Sequence, residues 1–229
     1  MTEKELLRQW LGKKEYLSVF DIPKLDELGN KAFHNVGFLY EAYEALAKED
    51  AVGDTEIAIS HNDGVCRLTR KDDGVWMLSA FDKEITLAFE DMKDVLIGMI
   101  DLQEEIYPLG SVVALNKDFM ARNIPEIGKL DSFRVVITHR FMSFTDSIYY
   151  PYAGVIYPFG MLGRPEVLYF SYAMVDEVMH KGFADESEDA YVYEMKKELI
   201  LERGMHSAGF ATKEELEKIE MKIRRSEDE

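Results

Sequence analysis

The chain is short of cysteine, of proline and of positive charge, and it contains no long uncharged apolar run. Cys66 is its single cysteine, so no disulfide can close within the chain. A C-x-x-C redox pair and a thiolate zinc cluster are excluded on the same ground. Lys and Arg number 27 against 44 Asp and Glu, which leaves a formal charge of −17 and a pI near 4.7. A surface of that sign repels a phosphate backbone and an anionic bilayer, so nucleic acid and lipid are poor partners. It favours solubility, and it can complement a basic protein. The most apolar windows, such as DVLIGMIDL, are short and broken by Gly or Asp, so direct membrane insertion is not expected. The opening MTEKELLRQWLG is charged and amphipathic, unlike an export segment. The expectation is a cytoplasmic protein.

Chemistry-bearing motifs are also missing. His34, His61, His139, His180 and His206 show no i,i+4 pairing and no HExxH or H-x-E spacing. Asp176 lies four residues before His180 on a stretch that reads as helix, which suits an exposed ion pair better than a metal. Cys66 falls in a hairpin strand near Arg67 and Arg70. Guanidiniums lower a thiol's pKa, yet a lone strand cysteine ordinarily serves as a small apolar side chain. No G-x-S-x-G, P-loop or G-x-G-x-x-G occurs. With so many carboxylates, a chance pair carries no information about glycosidase-type chemistry. The reading is a protein that is not an enzyme and has no metal and no cofactor.

What is present is a globular composition, 47% hydrophobic. Thr2 and Glu5 suggest a capping box ahead of Leu6, Leu7, Trp10 and Leu11 at helical spacing, with Gly12 as the stop. Pro23 restarts the chain after a short apolar run. VGFLYEAYEALAK (36–48) places Phe38, Leu39, Ala42, Tyr43 and Leu46 on one helical side, with Glu41 and Glu44 opposite. The period then falls to two. Asp63-Gly64 and Asp73-Gly74 punctuate expected strands at 55–60, 65–70, 75–80 and 84–89. A helix over 91–104 turns Met92, Val95, Leu96, Met99 and Ile100 inward and Asp91, Asp94 and Asp101 outward.

Pro108 and Gly110 mark a boundary. Beyond it GSVVALN and FRVVITHRF read as strands, with an irregular stretch at 117–132 between them. SIYYPYAGVIYP reads as a bent strand, and EVLYFS as its pairing strand. AMVDEVMHKGF reads as a short helix, with Gly182 as a left-handed cap and Phe183 packing back on Val178. DESED (185–189) suits the start of the next helix, YVYEMKKELILERG, which Gly204 ends. Thr212 and Glu215 open a final amphipathic helix. The fold class is α+β, with antiparallel sheets, flanking helices and two similar-sized halves. The expected division is 1–105, 106–204 and a C-terminal helix over 205–229.

The stretch YPYAGVIYPFGMLG (150–163) is uncharged and rich in aromatics. Along a strand, Tyr150, Tyr152, Gly154 and Ile156 share one face, while Tyr149, Pro151, Ala153, Val155 and Tyr157 share the other. Both faces are apolar. One serves the core, and the other needs a cover, either a helix at 191–203 or 212–225 or a partner protein. Tyrosine suits interfaces because it buries much area and keeps a hydroxyl for water. Pro151 and Pro158 cannot donate to a ladder, which predicts an edge strand. Tyr150, Tyr152, Tyr157, Pro158 and Phe159 are the candidate partner-binding residues.

The ordered set Pro108–Val113, Val135–Arg140, Tyr152–Gly160, Tyr169-Phe170, Val175–Val178 and Gly182-Phe183 before an acidic turn carries a resemblance. Over about residues 107–195 the chain resembles an EsaE-like, type VII secretion-associated family. That resemblance implies a cytosolic chaperone or targeting factor. Such a protein would hold a secreted toxin of the LXG or nuclease kind and deliver it to the secretion ATPase. It implies no catalytic residues. Two departures from the family pattern are the insert at 117–132 and Pro151, where the family often carries an acid between two tyrosines. The alternative expectation is an immunity protein that neutralises such a toxin. No feature sets an oligomeric state.

Overall fold

The computed structural model describes residues 3–32, 36–48, 56–61, 64–71, 74–116, 133–161 and 167–227. The chain divides into two compact units, Met1–Glu104 and Glu105–Glu229. Each has its own sheet and helices, so the fold is α+β.

In the first unit, α1 (Glu3–Gly12) buries Leu6, Leu7, Trp10 and Leu11. Thr2 of the expected capping box lies outside the described residues. A second helix, α2 (Asp21–Ala32), forms where Pro23 suggested only a restart. Proline is well accommodated there because it sits in the first turn, where N–H groups lack helical partners. The Ser18 hydroxyl accepts from the Phe20 and Asp21 N–H groups at 3.3 and 3.2 Å. Arg8 of α1 donates to Asp26 of α2 at 2.7 Å. Helix α3 (Gly37–Lys48) buries Phe38, Leu39, Ala42 and Leu46, with Glu41 and Glu44 exposed as expected.

Strands β1 (Glu56–His61), β2 (Gly64–Arg70), β3 (Val75–Ala80) and β4 (Lys83–Ala88) form a meander in that order. His61 pairs with Gly64, so Gly64 belongs to β2 rather than to the turn. The β3–β4 turn is made by Phe81 and Asp82, both at positive φ (51° and 61°), the geometry of a two-residue hairpin. Helix α4 (Phe89–Gln103) buries the five expected apolar residues. It also buries Asp101, expected outward, because the last turn is enclosed on all sides: Leu102 and Gln103 are buried with it. Gly98 supplies a notch for Trp10, whose Cζ2 lies 2.0 Å from where a Cβ would stand.

In the second unit, β5 (Val112–Leu115), β6 (Phe133–Ser143), β7 (Ile148–Ile156), β8 (Leu168–Phe170), β9 (Val175–His180) and the two-residue β10 (His206–Ser207) make one sheet. Its order is β10-β7-β6-β5-β9, with β8 also paired to β7. Helix α5 (Glu186–Lys196) runs on into a π-helical turn, Lys197–Glu202, and Gly204 at φ 64° ends it. Helix α6 (Lys213–Glu227) opens on a capping box. Thr212 N–H donates to the Glu215 carboxylate at 2.8 Å, and Glu215 N–H donates to the Thr212 hydroxyl at 3.3 Å. Residues 205–229 therefore form part of the second unit rather than a separate segment. The insert at 117–132 lies outside the described residues.

Four local expectations are corrected. Around AMVDEVMH only a single 3-10 turn, Tyr172–Met174, is helical; Val175–His180 is the edge strand β9. Two register shifts against β5 let Val175 and Val178 oppose Leu115 and Val113. The bulges thus bring residues three apart onto one face, a spacing that imitates a helix. As a strand, β9 holds Asp176 and His180 roughly 13 Å apart, too far for an ion pair; Asp176 instead accepts from Asn116 at 3.1 Å. Gly182 is not at positive φ. Its role is close approach: a Cβ there would stand 2.1 Å from the Leu109 carbonyl oxygen. Phe183 is 83% exposed rather than folded back on Val178.

Strand β7 is internal, not an edge. Pro151 is accommodated because β10 pairs only with Ile148 and Tyr149, and β8 only with Tyr152–Gly154. The proline occupies the gap between those two neighbours, where no ladder donor is needed on that side.

Candidate functional site

Both faces of β7 are covered by the chain's own helices. Ile219 of α6 packs on Ile148 and Ala208, with Leu216 and Ile223 against the same cluster, which includes Phe144 and Tyr150. On the other side Phe141 bridges Tyr149 and Tyr191 of α5, at 6.1 Å from each ring. The cover left open between this chain and a partner is thus intramolecular.

Tyr152 is fully buried. Its hydroxyl donates to the Glu105 carbonyl at 2.9 Å and accepts from Tyr107 N–H at 3.2 Å. Its ring contacts Tyr107, Phe170 and Tyr172 at 5.9, 5.3 and 5.9 Å. Tyr150 is half-buried against Phe144 and Tyr169. Burial raises its hydroxyl pKa above the ordinary value, helped by the Glu220 carboxylate on α6. Both tyrosines are structural, so the candidate set shrinks to its other members.

Those members sit at the turn after β7. Tyr157 is 50% exposed and Phe159 63%, with Pro158 exposed between them. Met161, which the sequence reading did not single out, is 62% exposed beside them. The Gly160 N–H donates to the Ile156 carbonyl at 2.8 Å and closes the turn, with Gly160 at φ 57°. A tight turn therefore presents a run of large apolar groups to water, which is the kind of patch that marks contact surfaces.

A second feature was not legible in the sequence. An open cleft of about 450 Å³ is lined by Leu109, Thr138, His139, Arg140, Met142, Ser187, Glu188 and Tyr191. Thr138, His139 and Arg140 are consecutive yet all reach it, because a register shift between Ile137 and His139 breaks the strand's alternation. The Arg140 side chain is only 5% exposed. It donates to both carboxylate oxygens of Glu188, 48 residues away, and lies 5.1 Å from the Tyr191 ring. Phe141, between Arg140 and Met142, adopts φ 54°. A bulky residue in the left-handed region carries strain, which concentrates at functional sites. A charged residue inside the buried-type strand FRVVITHRF was the one available hint, since a buried guanidinium needs a partner.

Asp185 caps α5, accepting from the N–H groups of Ser187 and Glu188 at 2.9 and 3.3 Å. The Ser187 hydroxyl, which also donates to Asp185, and then those N–H bonds hold its carboxyl below the ordinary range. Among the described residues no cluster of three or more His, Cys, Asp or Glu is placed to hold a metal. Among the same residues no helix is long and apolar enough to cross a membrane. The side chain of Cys66 lies outside the described residues.

An α+β unit with an exposed apolar turn and a cleft floored by a matched Arg140–Glu188 pair is the class this geometry defines. Residues 106–191 match the model of a Domain of unknown function (DUF4176). All residues of the apolar turn and of the cleft fall within that stretch. Comparisons with curated proteins and with solved structures return no match.

Proposed function

We propose that this chain is a cytoplasmic, non-enzymatic chaperone or targeting factor for a type VII secretion toxin of the LXG or nuclease kind. It would hold the toxin through the turn at Tyr157–Met161 and hand it to the secretion ATPase. The observation that carries the reading is the exposed apolar turn on a chain of charge −17. Leaving such groups in water has no structural reward, and a partner that covers them gains their burial energy. The acidic body adds long-range attraction for a basic cargo. The ordered motifs over 107–195 support the link to secretion.

Co-expression with an LXG- or nuclease-type toxin of the same organism tests it. The tagged chain should co-purify that toxin, and Tyr157→Ser with Phe159→Ser should abolish capture without unfolding the protein. Capture that survives both changes overturns this assignment of the surface. The acidic charge also favours the immunity reading, because a basic toxin's working surface could be masked by it. That reading predicts rescued growth on co-expression, whereas a targeting factor leaves toxicity largely intact.

A further inference from the structure

We propose that the cleft between β6 and the start of α5 is a docking site for a short basic peptide segment with a large apolar anchor. Its walls are Leu109, which is exposed, Met142, and the Tyr191 ring. Apolar walls of this size accommodate an inserted side chain, and an unbranched methionine adapts to its shape. Its floor is the Arg140–Glu188 pair, in which both terminal guanidinium nitrogens are taken by the carboxylate and the charges match, while Nε is buried without a partner. The α5 residues flanking the lining Ser187 and Glu188 are acidic: Asp185, Glu186 and Asp189, all exposed, stand in the cap and first turn of that helix. Those carboxylates offset the positive end of the helix dipole, so an anionic ligand is disfavoured and Lys or Arg beside the anchor is favoured. Phe183, an exposed aromatic, follows Gly182, whose backbone lies against Leu109 of the cleft wall. The inference goes beyond the adaptor reading, because it concerns a different surface and holds whatever the cargo is.

The full chain, labelled with ¹³C at its methionine methyls, is titrated with fluorescein-labelled KKGLFGKK, EEGLFGEE and KKGAAGKK. Met142 is assigned through Met142→Leu. The basic apolar probe should bind and move the Met142 methyl, while the acidic probe and the alanine probe bind at least about tenfold more weakly, as loss of a central anchor or of charge complementarity demands. Leu109→Ser should weaken the basic probe by a similar factor of about ten. Leu109 is exposed, so that variant should fold, and its circular dichroism is compared to establish this. Glu186→Lys with Asp189→Lys should weaken it through charge alone. Phe159→Ser should leave it unchanged. Absence of binding by KKGLFGKK, equal binding by EEGLFGEE, or a Met142 methyl that stays still at saturation overturns the inference. Probe binding lost in Phe159→Ser and kept in Leu109→Ser also overturns it, and leaves the apolar turn standing as the contact surface.

Discussion

Replacing Tyr152 by Phe removes one oxygen from a fully buried ring and keeps every ring contact. The lost hydroxyl bridges Glu105 O and Tyr107 N–H. A typical buried hydrogen bond contributes about 1 kcal/mol net, so losing two costs about 1–2 kcal/mol. Tyr152→Ala, which also removes the ring from its contacts with Tyr107, Phe170 and Tyr172, should cost about 3–5 kcal/mol. Phe159→Ser, at an exposed position, should stay within about 0.5 kcal/mol of the parent. Urea unfolding followed by far-UV circular dichroism reads these differences. Indole emission is unsuited, because Trp10 and Trp76, the two tryptophans, both lie in the first unit. With a slope of about 2 kcal/mol/M, Tyr152→Phe should lower the midpoint by about 0.5–1 M. A neutral Tyr152→Phe together with a strongly destabilised Phe159→Ser would reverse the assignment of core and surface and refute the reasoning.

Other positions give independent tests. Gly98→Ala drives a methyl into the Trp10 indole and should lower stability by about 1–3 kcal/mol, with a shifted indole emission as its signature. Glu188→Gln leaves the Arg140 guanidinium buried without its counter-charge and should cost about 3–5 kcal/mol, whereas Arg140→Met with Glu188→Leu should recover most of it in thermal melts. The Asp185 and Glu215 carboxyls are both held below their ordinary values of 3.8 and 4.5 by donors at helix starts, the Ser187 hydroxyl and N–H for Asp185 and the Thr212 N–H and hydroxyl for Glu215. Folded values below the unfolded ones mean that this stability is complete above those values and is lost as pH falls through the lowered ones. Asp185→Asn and Glu215→Gln should therefore flatten the acid limb of the helical signal; an unchanged limb would contradict the cap assignment.

The first sheet was readable because its side chains alternate and its loops carry Asp and Gly. The buried stripes of α3 and α4 were readable because their periods are regular. Helix α2 is hidden in the sequence because Pro23 reads as a restart of the chain, and only the turn closed on Ser18 shows the proline to lie in a helix's first turn. Strand β9 was misread because two bulges give its valines a spacing of three. Pro151 suggested an edge because a sequence does not reveal that two short strands leave a gap at that residue. Of the candidate site, Tyr157, Pro158 and Phe159 are exposed, while Tyr152 is buried in the core and Tyr150 is half-buried against a core cluster. The cleft depends on Arg140 and Glu188 meeting across 48 residues. No local pattern encodes that distance.

Secretion itself is the most direct measurement. In a strain lacking the gene, the LXG- or nuclease-type toxin that the tagged chain captures should remain in the cell. Complementation with the parent chain or with Tyr152→Phe should restore export, and complementation with Tyr157→Ser/Phe159→Ser should not. Export that is unchanged by deletion, or restored equally by the double variant, would contradict the account.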